Sequence, residues 1–216
     1  MIDASTEPTP QEGAAVAGAS ARPVRQRPKP GERRLQILQT LAAMLQEPGG
    51  ERVTTAALAA RIRVSEAALY RHFASKAQMF EGLIEFIEHT VFGLINQIAS
   101  QDDDGLRQLQ AMVLMLLGFA EKNPGMTRVL IGDALVNEDE RLQNRVNQIL
   151  DRIEASLRQS VRIAVSQQRL PAHTDAGARA NLALSFVLGR WMRYAKSGFQ
   201  RRPGEGTEQQ LAQLLI

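Results

Sequence analysis

The sequence predicts an all-α fold in which a three-helix N-terminal domain is followed by a longer helical domain. Apolar residues recur at three- and four-residue spacing through most of the chain beyond residue 31, a pattern typical of amphipathic helices. Proline and glycine interrupt this pattern at a few positions, which marks the ends of the helices. No alternating polar and apolar run is long enough for a β-strand.

Residues 1–30 are predicted to be a disordered basic tail. They are rich in Ala, Gly, Pro, Thr and Ser and poor in large apolar residues, a composition that does not form a core. The stretch from Arg22 to Arg34 holds six basic residues and one acidic residue, Glu32. Such a tail either contacts a polyanion or is simply solvated, and the tail by itself favours the second interpretation.

Residues 31–76 are predicted to contain the three helices of the first domain. The apolar face of the first helix comprises Leu35, Leu38, Leu41, Ala42 and Leu45. Pro-Gly-Gly at residues 48–50 ends this helix. The hydroxyl of Thr54 or Thr55 caps the second helix, and that of Ser65 caps the third.

Residues 77–216 are predicted to form the second helical domain. Ser75 and Gln78 have the spacing of a capping box at the start of a long helix. The apolar stripe of that helix comprises Met79, Phe80, Leu83, Ile84, Ile87, Val91, Leu94, Ile95 and Ile98. After a break at residues 102–105, further helices are expected at about residues 106–122, 126–136, 138–168, 175–197 and 207–215.

The composition argues against secretion and against a membrane span. Cysteine is absent, so the chain has neither disulfides nor thiolate metal ligands. The N-terminus has no basic segment followed by an apolar run, so no secretory signal is expected. The longest apolar run, Ala111–Ala120, has ten residues, well short of the roughly 18 that a membrane helix needs. We therefore expect a cytoplasmic protein.

An enzyme is the class that the sequence supports least. His72, His89 and His173 lie in separate segments without the spacing of metal ligands. The carboxylates of residues 102–104 are expected in a solvated loop rather than a metal site. No glycine-rich phosphate loop or nucleophile motif is present, so neither a metal nor a cofactor is expected.

Charge is distributed unevenly along the chain. The formal net charge is +3 over all 216 residues. Residues 1–80 carry 11 basic and 7 acidic residues, whereas residues 81–216 carry 15 basic and 16 acidic residues. A basic N-terminal part beside a nearly neutral remainder indicates contact with a polyanion at one end.

The segment Thr54–Lys76 has the pattern of a helix-turn-helix, whose second helix enters the DNA major groove. Residues 66–68 occupy the first turn of that helix, where alanine can contact a thymine methyl group but cannot donate a hydrogen bond. Donors suited to phosphate oxygens follow at Tyr70, Arg71, His72 and Lys76. The predicted DNA contacts are Thr54, Thr55, Ser65, Glu66, Ala67, Ala68, Tyr70, Arg71, His72 and Lys76.

An alternative interpretation assigns Tyr70 and His72 to capping and packing of a small domain. Any one of these residues alone favours that alternative. The combination of donors, spacing and local charge favours DNA binding. Leu69 and Phe73, four residues apart, are expected to anchor the helix to the core.

Residues 54–80 resemble the DNA-binding domain of the TetR family. The resemblance is carried by Thr54, Leu58, Ala59, Val64, Ser65, Leu69, Tyr70, His72, Phe73, Ser75, Lys76 and Phe80. Arg63 departs from the family pattern, which usually has glycine in this turn. A left-handed backbone conformation at this position would be strained for arginine.

Three longer segments resemble the nucleoid occlusion factors of the TetR family, over roughly residues 32–200. They are SEAALYRHFASKAQMFEGLIEFIE, LMLLGFAEKNPGMTRVLIGDAL and RLQNRVNQILDRIEASLRQ. The resemblance implies a homodimer that binds palindromic double-stranded DNA on the nucleoid. It also implies that the DNA-bound dimer binds the division protein FtsZ and antagonises Z-ring assembly over the chromosome.

The same resemblance implies that FtsZ contacts two helices of the second domain. The positions that match are Phe86, Leu94, Met115, Gly118, Lys122 and Asn123. Leu94 stands where a basic residue is expected, whereas Lys122 keeps the charge of its position. Without the resemblance, Phe86 and Met115 are better interpreted as ordinary core residues.

The two long helices at about residues 138–168 and 175–197 are predicted to form the dimer interface. The resemblance implies that they pair across a twofold axis into a four-helix bundle, with Phe186, Trp191 and Tyr194 at the interface. Trp191 and Tyr194 fit the core of a single protomer equally well.

Two other functional classes stay open from the sequence. A ligand-responsive transcriptional repressor shares the fold and the DNA contacts, and its pocket residues cannot be told from core residues by sequence. A DNA-independent adaptor is the third class, and both the charge asymmetry and the helix-turn-helix argue against it.

Overall fold

The all-α prediction is confirmed in the computed structural model, which describes residues 31–47 and 53–215. Within these ranges the chain forms nine α-helices and no β-strand. The helices are α1 (Glu32–Gln46), α2 (Thr55–Arg61), α3 (Glu66–Tyr70), α4 (Lys76–Gln101), α5 (Gly105–Lys122), α6 (Pro124–Leu130), α7 (Glu140–Ser166), α8 (Ala176–Lys196) and α9 (Thr207–Leu215). The predicted tail at 1–30 and the predicted stop at 48–50 lie outside the described residues.

Hydroxyl groups cap the three helices for which capping was predicted. The side chains of Thr54, Ser65 and Ser75 each accept a hydrogen bond from the backbone N–H three residues later, at 3.1, 3.2 and 3.1 Å. The alternative of Thr55 as the cap of α2 is therefore excluded. Each such cap is worth about 1 kcal/mol, so these three helix starts are determined by local interactions.

The capping box at the start of α4 differs from the prediction in one bond. The Gln78 side chain accepts a hydrogen bond from the backbone N–H of Ala74 at 2.8 Å. A standard capping box would direct that bond to the N–H of Ser75. The bond therefore fixes the chain one residue before the cap, in the turn that follows α3.

The prediction of one helix over residues 126–136 is wrong at both ends. α6 begins at Pro124 and ends at Leu130. Proline suits the first turn of a helix, because its fixed φ is helical and its missing N–H has no partner there. Gly132 then adopts a left-handed φ of 78°, and a short 3₁₀ helix follows at Asp133–Leu135.

A single core connects the helix-turn-helix to the rest of the protein. Leu69 and Phe73 are buried, as predicted, and they belong to the same cluster as the α4 stripe and the inner faces of α5, α7 and α8. Two residues of that stripe, Leu94 and Ile98, are only half-buried. The predicted domain boundary at 76–77 lies at the first residue of α4, and the division into two domains stays a prediction.

Contact between α1 and α6 joins the first domain to the second. At Gly125, a Cβ atom would lie 1.9 Å from the backbone carbonyl oxygen of Ala42. Only glycine permits this approach of two helix backbones. Arg128 adds a hydrogen bond of 3.0 Å from its side chain to the carbonyl of Leu45 at the end of α1.

In the part of the chain described here, no helix is long and apolar enough to cross a membrane.

Two aspartates at helix ends give the folded state an acid-sensitive component of stability. The Arg107 guanidinium lowers the pKa of Asp102 from 3.8 to about 2, with help from the backbone N–H of Asp104. Arg141 lowers the pKa of Asp139 in the same way, also to about 2. Because the folded pKa values are depressed, this stabilisation is complete above about pH 4 and is lost as the pH falls to about 2.

We therefore expect the free energy of unfolding to decrease between about pH 4 and about pH 2. Urea unfolding followed by circular dichroism at several pH values measures the decrease. The double variant Asp102→Asn/Asp139→Asn should show a shallower decrease over the same interval. An unchanged pH profile in that variant would show that other carboxylates dominate acid unfolding.

Candidate nucleic-acid interface and peptide groove

The turn between α2 and α3 contains the strained residue that the sequence indicated. Arg63 has a φ of 56°, which costs a non-glycine residue about 1 kcal/mol. The turn is held by backbone hydrogen bonds from Arg63 to Ala60 and from Val64 to Ala59, at 3.1 and 3.0 Å. The helix-turn-helix geometry therefore forms despite the missing glycine.

The outer face of α3 is open to solvent. Tyr70 is 44 % exposed, and Ser65, Glu66, Ala67 and Arg71 are also exposed. Ala68 and His72 are half-buried. Because Leu69 and Phe73 are buried on the inner face, the exposed residues of α3 lie on its outer face.

A polar network links α2 to α3 on this surface. The hydroxyl of Thr55 donates to a carboxylate oxygen of Glu66 at 2.7 Å. The Tyr70 hydroxyl lies 3.5 Å from the Thr55 oxygen and donates to it. The network holds the Tyr70 hydroxyl near the start of α2, where a phenol can reach a phosphate oxygen. Glu66 keeps acceptor capacity for a base-edge donor such as the cytosine amino group.

Arg34 at the start of α1 is a residue that the sequence interpretation did not select. Its guanidinium lies 4.1 Å from the centre of the Phe73 ring and donates a hydrogen bond to the carbonyl of His72. These contacts attach the first turn of α1 to the end of α3. The sequence shows Arg34 only as one of several basic residues between Arg22 and Arg34, because its partner His72 lies 38 residues away.

Lys76 does not project freely toward the DNA-binding face, contrary to the expectation of an available phosphate donor. Its ammonium forms a salt bridge with Glu138, and the two side chains are 25 % and 11 % exposed. Glu138 lies in the connection before α7, so the pair joins the start of α4 to the second domain. The local sequence around Lys76 contains no signal for this distant partner.

A groove of about 310 Å³ opens between α1, α4, α5 and α6. Three of the residues predicted to contact FtsZ line it: Phe86, Lys122 and Asn123. The rest of the lining comprises Gln39, Ala42, Ala43, Gln46, Gly125 and Met126. Lys122 is exposed, while the Asn123 side chain is fixed by donating to the carbonyl of Phe119 at 2.9 Å.

The other three predicted FtsZ contacts do not line this groove: Leu94 lies after Phe86 on α4, whereas Met115 and Gly118 lie before Lys122 on α5. Leu94, Met115 and Gly118 are half-buried. Gly118 has open space where a Cβ atom would stand. Phe86 and Met115 pack against the core and keep part of their surface exposed. Each can therefore contribute to the core and still contact a partner.

Two of the three residues predicted for the dimer interface point into the protomer. Trp191 is 0 % exposed, and its indole N–H donates to the carbonyl of Leu116 at 3.1 Å. The Tyr194 hydroxyl donates to the carbonyl of Glu121 at 3.4 Å. These contacts arise because this side of α8 packs on α5, so the alternative of a role in the protomer's own core is the correct one. Phe186 is half-buried.

The opposite side of α8 carries an exposed apolar stripe. Leu182 and Met192 are 57 % and 53 % exposed, and a Cβ atom at Gly189 would meet nothing within 4 Å. Sequence periodicity alone did not distinguish this side from the buried one.

Across the residues that the structure describes, no group of three or more potential ligands is placed to hold a metal ion.

Two family models match the chain. "Bacterial regulatory proteins, tetR family" matches residues 37–83, and "Tetracyclin repressor-like, C-terminal domain" of the SlmA-like type matches residues 103–216. The fold resembles solved regulators. PfmR from Thermus thermophilus has a TM-score of 0.69 and 20 % identity and covers 83 % of this chain and 97 % of its own. FadR from Bacillus halodurans has a TM-score of 0.73 and 12 % identity, with coverages of 88 % and 97 %.

Closer relatives are found among curated sequences. The nucleoid occlusion factor SlmA of Alteromonas mediterranea is 47 % identical over 184 residues, which is 85 % of this chain and 94 % of the relative. SlmA of a Marinomonas species is 48 % identical over 177 residues, with coverages of 82 % and 90 %. These relatives are named as occlusion factors and not as enzymes, in agreement with the prediction. The chain therefore belongs to the TetR family and, within it, to the nucleoid occlusion factors named SlmA.

Proposed function

We propose that this protein binds palindromic DNA as a homodimer and, when bound to DNA, binds FtsZ and antagonises Z-ring assembly over the chromosome. It acts in the cytoplasm, on the nucleoid. The observation that carries the proposal is the groove formed by α1, α4, α5 and α6. α2 and α3, which carry the DNA contacts, contribute nothing to its lining, so DNA and a protein partner can be bound together.

The DNA contacts follow from the exposed face of α3. Tyr70 and Arg71 reach phosphate oxygens, which fixes the register of the helix on the duplex. Ala67 and Ala68 offer apolar contact to thymine methyl groups, and Glu66 supplies one polar acceptor. We therefore propose modest direct base readout, with much of the affinity arising from phosphate contacts.

Dimerisation is supported by the exposed side of α8. Leu182, Gly189 and Met192 form an apolar stripe that no part of the described protomer covers. Pairing of this stripe with its symmetry mate would bury it in an interface where each copy uses the same surface. A twofold dimer also presents two copies of α3, which matches the two half-sites of a palindrome.

Binding of FtsZ is supported by the chemistry of the groove. Phe86 and Met126 give it an apolar floor, and Lys122 places a cation at its edge. A groove between helices of this kind accepts an extended or helical peptide. We propose that the tail of FtsZ occupies it, with Lys122 facing an acidic group of the tail.

Release of Lys76 from Glu138 is expected to strengthen DNA binding. Glu138→Gln removes the carboxylate that holds the ammonium, so Lys76 becomes available to a phosphate. The affinity for a palindromic duplex should increase several-fold, and the slope of log K against log salt should steepen by up to about 1.8, because the dimer carries two copies of Lys76 and each adds about 0.9. Fluorescence anisotropy at several salt concentrations measures both quantities.

Two further variants complete the DNA-binding experiment. Lys76→Met in the Glu138→Gln background should remove the gain. Arg71→Gln should make the salt slope shallower by about 1.8, because the dimer loses one phosphate contact in each protomer. If Glu138→Gln leaves affinity and slope unchanged, Lys76 does not contact DNA.

Charge reversal at the groove edge is expected to separate FtsZ binding from DNA binding. Lys122→Glu should weaken FtsZ binding about fivefold, the effect of losing one well-placed ion pair, and should leave DNA affinity unchanged. Sedimentation of FtsZ polymers in the presence of palindromic DNA and each variant measures antagonism. Ala172→Glu, in the exposed turn between α7 and α8, is the control for a negative charge added outside the groove and outside both long helices.

Full antagonism by the Lys122→Glu variant would remove this groove from the FtsZ interface. A wild-type protein that changes FtsZ polymerisation neither with nor without DNA would contradict the proposal as a whole. That result would favour the alternative of a ligand-responsive transcriptional repressor, which needs DNA binding but no FtsZ contact.

A further inference from the structure

Four arginines surround a second cavity, of about 250 Å³, where α8 ends. The lining comprises Arg190, Arg193, Arg201, Arg202 and Glu205. Four guanidinium groups therefore face one carboxylate, in a chain whose total net charge is only +3. Neither Arg201 nor Arg202, which follow α8 and lie outside its apolar stripe, forms a salt bridge with any residue in the described ranges, and both are exposed.

The backbone that carries these arginines is held in place at the end of α8. The Ser197 hydroxyl oxygen accepts hydrogen bonds from the backbone N–H groups of Gln200 and Arg201, at 3.2 and 2.9 Å. Phe199 has a left-handed φ of 65°, and its ring lies 5.2 Å from that of Tyr194. The turn therefore has a fixed course that brings Arg201 back toward α8.

The segment that follows is fastened to α8 and α5. Arg190 donates from Nε to the carbonyl of Pro203 at 2.8 Å. The backbone N–H of Gly204 donates to the Glu121 carboxylate at 2.7 Å. The fixed backbone keeps the four arginines close together, with only Glu205 as a carboxylate in the same cavity. The guanidinium groups therefore repel one another, because like charges at short distance raise the energy. A bound anion would relieve that repulsion.

The arginine cluster and the peptide groove both lie near the last turn of α5. Arg202 and Glu205 also line an adjoining cavity of about 590 Å³, together with Glu121, Gln200 and Gly204. Glu121 precedes Lys122, which lines the groove. The groove and the arginine cluster therefore both lie at the C-terminal end of α5.

We propose that the arginine cluster recognises acidic residues that flank the apolar segment bound in the groove. This inference rests on the proposed function and adds to it the chemical class of the flanking sequence. Charge complementarity selects the ligand, because exposed guanidinium groups pair with carboxylates through two parallel hydrogen bonds. The occupant is an acidic, extended part of the same polypeptide that fills the groove. The cluster shares no residue with α2 and α3, so duplex DNA is not the ligand that we assign to it.

The test uses fluorescent peptides that contain the tail of FtsZ. One pair carries three additional glutamates or three additional glutamines on its N-terminal side, and a second pair carries them on its C-terminal side. At low salt the wild-type protein with DNA should bind one glutamate peptide about fivefold more tightly than its glutamine counterpart. The preference should vanish at high salt and in the double variant Arg201→Gln/Arg202→Gln.

The outcomes separate this inference from the proposed function. Equal binding of glutamate and glutamine peptides, or an unchanged preference in the arginine double variant, would overturn the inference alone. Failure of all four peptides to bind the wild-type protein would overturn the proposed function and the inference with it. A shallower salt dependence of DNA binding in the double variant, with no effect on the peptides, would assign the cluster to DNA instead.

Discussion

Gly125→Ala is expected to lower the free energy of unfolding by about 3 kcal/mol, at the upper end of the range for overpacking substitutions. The new methyl group would stand 1.9 Å from the carbonyl oxygen of Ala42 and 3.3 Å from the backbone nitrogen of Gln46. Neither atom belongs to a flexible side chain, so α1 and α6 must separate to admit it. Urea unfolding followed by circular dichroism measures the loss.

Gly93→Ala is the matched control for this substitution. Gly93 also lies within a helix, α4, but a Cβ atom there would meet nothing within 4 Å. Alanine is a better helix former than glycine by up to about 1 kcal/mol, so this variant should be at least as stable as the wild type. Equal stability of the two alanine variants would show that α1 and α6 do not pack as closely as the structure indicates.

Trp191→Ala is expected to lower the free energy of unfolding by about 4 kcal/mol, a cost typical of removing a large buried aromatic side chain. The side chain is completely buried in the protomer, and the loss of its N–H leaves the carbonyl of Leu116 without that donor. The destabilisation should therefore be present at every protein concentration. Urea unfolding at two concentrations that differ widely measures it.

Met192, which follows Trp191, is exposed, so its substitution should affect dimerisation and not the folding of the protomer. Met192→Asp places a charge on the exposed stripe of α8, so it should leave the protomer folded and weaken self-association. Sedimentation equilibrium measures the dimer constant. A Met192→Asp variant that dimerises like the wild type would exclude this stripe from the dimer interface.

Features determined by neighbouring residues were predictable from the sequence. The caps at Thr54, Ser65 and Ser75 depend on a bond to a residue three positions away, and the burial of Leu69 and Phe73 depends on helical spacing. The strain at Arg63 was indicated by the lack of glycine in a turn that needs a left-handed residue. The caps and the buried pair follow from local geometry alone, whereas the expectation for Arg63 also used the resemblance to the TetR family.

Features determined by distant contacts were not predictable. The partner of Lys76 is 62 residues away, so a lysine that looks free in the sequence is engaged in the structure. Trp191 and Met192 are adjacent and both apolar, yet one is enclosed and the other is exposed, because only the packing of α8 on α5 decides between them. Pro124 and Gly125 suggested an interruption, but proline begins a helix here and glycine admits a second backbone.

The groove has walls that belong to different parts of the fold. Gln39, Ala42, Ala43 and Gln46 come from α1, which packs with the helix-turn-helix, whereas Lys122 and Met126 come from the opposite side of the α1–α6 contact. A peptide bound there would therefore contact the domain that carries the DNA-binding helices. If DNA tightens peptide binding, thermodynamic linkage requires the peptide to tighten DNA binding by the same factor. A division protein held in this groove would thus raise the affinity of its own antagonist for the chromosome.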